Sequence, residues 1–139
     1  MTLKKMLAVY VAISCLLLIP GGAAAGSFDG SRELVCAAMS TVECGYMADC
    51  TSGTAEDVDF PTFIRINVKK KTISATEDFG RAVTTEIKNI ERSEGRLILQ
   101  GFEEGRGWSL ALSETTGKMV LTASGDQAGF VVFGACTPR

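Results

Sequence analysis

From Pro61 onward, apolar and polar residues alternate in short runs separated by glycine-rich or charged turns, and no stretch sustains a 3.6-residue apolar period. This pattern predicts a meander of hairpins. Residues 63–69 put Ile64, Ile66 and Val68 on one face, with Arg65, Asn67 and Lys69 on the other. After a turn at Lys69, Lys70 and Lys71, residues 72–76 return with Ile73 and Ala75 facing inward. A turn at residues 77–80 leads to a strand over residues 83–91, which Ser93, Glu94 and Gly95 reverse. Leu97 and Leu99 share a face in the next strand, and residues 103–107 turn it into a clean alternation of Trp108, Leu110 and Leu112. Met119, Leu121 and Ala123 line the strand after that. The last strand, residues 129–137, carries Phe130 and Val132 on one face and Val131 and Phe133 on the other, as suits a strand central in a sheet or covered on both sides.

An opening strand over residues 33–43 brings the count to about eight. Residues 36–39 tolerate a helix, but the β-branched residues that follow favour strand. Such short connections pair sequential strands antiparallel. The predicted fold is therefore all-β: an antiparallel up-and-down meander, closed or nearly closed into a small disulfide-stapled barrel. Eight strands suffice to close around packed side chains or one small ligand. The competing architecture is an open, strongly curved sheet plugged by the N-terminal segment.

The first 25 residues have a different pattern. Lys4 and Lys5 precede an apolar run over residues 6–19, then Pro20, Gly21 and Gly22 lead to three alanines. These are the three regions of a secretory signal, with cleavage expected near Ala25. The run is shorter than the roughly 20 residues a spanning helix needs, so no permanent membrane span is expected. Cys15 lacks the upstream leucine and polar tether of a lipidation site and is expected to leave with the signal. The remaining chain divides into an N-terminal strand and disulfide loop (26–60) and the meander (61–139), together one domain. Its expected location after cleavage is periplasmic or secreted.

Composition narrows the chemistry. The chain of 139 residues contains no histidine, which excludes Ser-His-Asp and Cys-His nucleophile systems and histidine metal ligands. Loss of Lys4 and Lys5 leaves 12 basic and 16 acidic residues, a net charge of −4 against −2 for the full chain. An acidic chain with a single basic run is a poor partner for nucleic acid. Four cysteines survive cleavage, an even number in an exported protein, and the expected pairs are Cys36 with Cys136 and Cys44 with Cys50. Their spacing fits neither a zinc knuckle nor a C-x-x-C redox pair. No cofactor is expected.

The closing stretch, residues 116–126 (TGKMVLTASGD) with residues 129–136 (GFVVFGAC), resembles small exported bacterial proteins of unassigned function. The likeness takes in residues 63–76 and 96–112 and implies an envelope-exported β-meander of this size. It implies no activity and no catalytic residues.

Without histidine, carboxylates are the main route to catalysis, and the dense acidic clusters are Glu103 with Glu104 and the run over residues 56–59. The former reads as a solvated turn, and the latter lacks calcium-loop spacing. Candidate contacts for a ligand or partner are Trp108 with Phe102, Phe130 and Phe133, and the basic tip Lys69, Lys70 and Lys71 with Arg65. The leading expectation is a monomeric, non-enzymatic exported module that binds another envelope or secreted protein or a small apolar molecule. A lipocalin-like carrier and a proteinase-inhibitor-like barrel belong to this class. A histidine-free carboxylate enzyme and a structural envelope component are the readings from other classes.

Overall fold

The computed structural model describes residues 27–139; the expected signal at residues 1–25, with Cys15 and the cleavage site, lies outside them. Ten strands follow one another: β1 (Leu34–Gly45), β2 (Cys50–Gly53), β3 (Phe63–Asn67), β4 (Thr72–Ala75), β5 (Thr84–Glu86), β6 (Asn89–Ser93), β7 (Arg96–Glu103), β8 (Arg106–Ser113), β9 (Lys118–Ser124) and β10 (Ala128–Pro138). All ladders are antiparallel, in the order β5-β4-β3-β1-β10-β9-β8-β7-β6, with β2 paired to β1 off this path. The all-β up-and-down architecture expected from the alternation is present. Short 3-10 turns at Glu56–Val58 and Glu77–Phe79 are the helical elements among the described residues.

β1 is the organising strand. One side pairs with β10 along its length; the other pairs with β3 through residues 34–37 and with β2 through residues 41–44. A bulge at Met39, between Ala38 and Ser40, switches the inward-facing set, so that Leu34 and Cys36 are buried before it and Thr41 after it. The Thr41 hydroxyl is satisfied by donating to the Thr54 carbonyl at 2.8 Å. Cys36 faces Cys136 across the β1–β10 ladder and Cys44 faces Cys50 across β1–β2, and both pairs are disulfide-bonded. Two such bonds suit an oxidising extracytoplasmic environment.

The path curls into a half-barrel whose end strands, β5 and β6, are consecutive in the chain. The sequence predicts one strand over residues 83–91; the structure breaks it at Ile87. There the Ile87 N–H donates to Lys71 O and the Lys88 N–H to Gln100 O, both at 2.8 Å, so the junction serves β4 on one side and β7 on the other. Beyond that point β5 meets β7 through side chains rather than a backbone ladder.

Inside the curl, Leu34, Ile66, Leu97, Leu99, Leu110, Leu112, Met119 and Val132 are fully buried. Each such side chain contributes about 1.5–3 kcal/mol relative to exposure. Residues before β1 close one end. Phe28 packs on the core, and Gly30 lies so close to Val68 that a Cβ there would collide with it and crowd Leu97. The plug expected only for an open sheet thus accompanies the curl. The opposite end is open.

Candidate functional site

The open end holds a cavity of about 160 Å³. Its floor is aromatic because the inward register of β8 and β10 ends there. Trp108 precedes Leu110 and Leu112 on the inner face of β8, and Phe130 precedes Val132 on that of β10. The indole Nε1 donates to Thr85 Oγ1 at 3.3 Å, which satisfies the one polar atom of a ring otherwise 9% exposed. Phe130 meets Phe60 edge-on, with ring centroids 6.2 Å apart.

Charge is confined to the rim. Arg81 donates to Asp59 at 2.8 Å and lies 4.9 Å from the centre of the Phe79 ring. Both members of this pair are more than half exposed, so water screens it and either can turn to a ligand at small cost. Glu103, Glu104 and Arg106 complete the lining from the β7–β8 hairpin, and these three carry no ion pair among the described residues. Their turn has positive φ at Glu104 (47°) and Gly105 (80°), which matches the right-handed twist of the flanking strands.

The chain matches no family model, no curated protein and no solved structure. The chemistry of the mouth follows from its own geometry.

Of the candidates named from sequence, Trp108 and Phe130 come together in the mouth. Phe102 does not join them: it follows inward-facing Gly101 on β7, so its side chain is outside the curl, 64% exposed, with Lys88 Nζ 5.4 Å from its ring centre. Phe133 is likewise on the outer face and 43% exposed. Lys69, Lys70 and Lys71 occupy the β3–β4 turn, at the far end of β3 from the mouth. The acidic clusters reach only the rim, through Asp59, Glu103 and Glu104. Phe60, Phe79, Arg81 and Arg106 were not singled out by sequence. Phe60 lies on the β2–β3 connection, Phe79 and Arg81 on the β4–β5 connection, and Arg106 opens β8; only the curl assembles them.

Two carboxyl groups depart from their ordinary values, and both go down. Hydrogen bonds from the Ser31 hydroxyl and N–H hold Asp29 at about 2. The Thr54 N–H and hydroxyl, donating to Asp57 Oδ2 at 2.7 and 3.0 Å, lower that group. Neither belongs to the mouth. Among the described residues no cluster of three or more metal-ligating side chains occurs, and no helix is long and apolar enough to cross a membrane.

Proposed function

We propose that this protein is an exported interaction module that acts by binding rather than turnover, and that its mouth receives one apolar or aromatic side chain of a partner protein. The observation that supports this reading is the size of the cavity together with its lining. A volume of about 160 Å³ is well short of the ~300 Å³ at which sites for whole drug-sized ligands begin. A lipocalin-like carrier is accordingly the weaker form of the proposal. An aromatic floor with a ring of exchangeable charges suits an inserted side chain, the rim fixing its orientation and the floor supplying contact area. The resemblance of residues 116–126 and 129–136 to small exported bacterial proteins is part of the same proposal and adds no activity to it.

The test uses Trp108, the single tryptophan of the chain, as reporter. Its emission is followed during titration with capped phenylalanine, leucine and glutamate amides and with a C16 fatty acid. Saturable changes with the first two, absent with glutamate and the fatty acid, are the expected result. Saturation by the fatty acid alone would replace the module with a carrier.

A proteinase-inhibitor-like role is the second reading, supported by the turn between β1 and β2. Tyr46 and Met47 there are 73% and 90% exposed, inside a loop closed by the Cys44–Cys50 disulfide and anchored by the Tyr46 N–H to Gln127 O at 2.7 Å. A preorganised loop with large side chains at its tip loses little entropy on insertion into a cleft. Direct inhibition assays against secreted serine and metalloproteases, with Tyr46→Ala and Met47→Ala as controls, check it.

A further inference from the structure

Away from the mouth, the outer face of β3 carries Arg65, which stands between Val35 of β1 and Ser74 of β4 in the ladders. Its Nε is buried without a hydrogen-bond partner. A guanidinium N–H withdrawn from water in this way is costly to leave unmatched. Arg65 and Arg139 line one open depression of about 460 Å³, together with Val35, Phe63 and Thr76. The Phe63 ring is 41% exposed, so it offers a face to whatever enters.

The main chain at Arg139 is anchored. The Arg139 N–H donates to Glu33 O at 2.8 Å, and its main-chain oxygen accepts from Arg32 Nε at 3.1 Å. The lysine turn at residues 69–71 follows β3 directly, with the Lys70 N–H donating to Asn67 Oδ1 at 2.9 Å. Glu33, which shares this side, is engaged by Asn67 Nδ2 at 3.4 Å. Arg65 and Arg139 are the basic residues that line the depression itself.

We infer that the depression between Arg65 and Arg139 binds a phosphate-type oxyanion carried on an apolar or ring-bearing body. Guanidinium forks match the paired oxygens of such a group, and Arg65 and Arg139 both line the depression that receives it. Phe63 packs against the attached body. A phospholipid headgroup and a soluble phosphate ester present the same chemistry.

Calorimetric titration of the purified protein with phenyl phosphate, inorganic phosphate and benzyl alcohol tests the site. Phenyl phosphate is expected to bind at least fivefold more tightly than inorganic phosphate, with benzyl alcohol inert. Arg65→Gln is expected to weaken phenyl phosphate at least tenfold, and Arg65→Lys to restore only part of the loss because it lacks the fork. If Arg65→Gln lowers the thermal midpoint, Arg139→Gln, beyond the last strand, is the variant read. Phenyl phosphate binding no better than benzyl alcohol, or equally to wild type and a folded variant, overturns the inference. Phosphatidylcholine vesicles with and without phosphatidylglycerol separate the sources: Arg65-dependent binding to the anionic vesicles assigns the lipid, and phenyl phosphate binding without it assigns a soluble ester. Trp108 emission should not respond to phenyl phosphate, so failure here is distinguishable from failure at the mouth.

Discussion

Trp108 lies directly opposite Gly101 in the β7–β8 ladder, and its indole occupies the space that a side chain at residue 101 would need. A Cβ there would also come within 2.6 Å of Glu86 O, the point where β5 closes against β7. Gly101→Ala should therefore push the indole out of the floor and spread the seam. The expected cost is about 1–3 kcal/mol, the usual range for overpacking. A lowered thermal midpoint with red-shifted tryptophan emission is the result to look for; an unchanged emission maximum would show that the ring does not depend on that glycine.

The two disulfides should differ in worth. Cys36–Cys136 joins residues 100 apart in the chain and Cys44–Cys50 residues 6 apart. On the chain-entropy account the first contributes about 4–5 kcal/mol and the second about 2. Urea unfolding of the Cys36→Ala/Cys136→Ala and Cys44→Ala/Cys50→Ala double variants measures both, and the first is expected to lose the larger part of its midpoint. The opposite order would mean that the short staple holds structure beyond its own loop.

The inner faces were legible wherever the two-residue period runs unbroken. Trp108, Leu110 and Leu112 on β8 and Met119, Leu121 and Ala123 on β9 are all buried as the alternation requires. The break in the expected strand over residues 83–91 also left a trace, since Ile87 and Ile90 stand three apart and cannot share a face in a regular strand. β2 left almost none: Cys50, Thr51, Ser52 and Gly53 have no apolar alternation, and their pairing follows from the disulfide and the turn that precedes it. The mouth was half legible. Its aromatic floor lies on strands, where parity places it, whereas Asp59 and Arg81 reach it only through the curl.

The β6–β7 turn leaves room for improvement. Glu94 and Gly95 both have positive φ, 50° and 74°, and the first position strongly prefers Asn, Asp or Gly. Glu94→Asn should raise stability by about 0.5 kcal/mol, read as a small rise in thermal midpoint with unchanged urea dependence. A fall would point to the weak pairing of Glu94 with Arg96 at 3.9 Å as the larger effect.

Stability should respond to acid and ignore the neutral range. Asp29 is lowered from 3.8 to about 2 and Asp57 is lowered too, so in the unfolded chain both bind protons more readily than in the folded one. Their contribution is complete above the ordinary carboxyl value and is lost as pH falls through the folded one. The urea midpoint should therefore drop between about pH 4 and pH 2, and drop less in Asp29→Asn. With no histidine to titrate, it should be level from about pH 5 to pH 8. A slope in that window would reveal another titrating group.

The first long strand of this protein is held by the last. β1 borders β10 along its whole length, and β10 in turn sits between β1 and β9 rather than at an edge. A ribosome delivering the chain makes β1 early, yet its main partner, beginning at Ala128, arrives only after the eight strands that lie between them in sequence. Until then the opening strand waits without its ladder, and non-local closure of this kind sets a slow pace. A frameshift or stop codon ahead of β10 would consequently remove the keystone and not a margin, because β1 and β9 would both lose the strand they share.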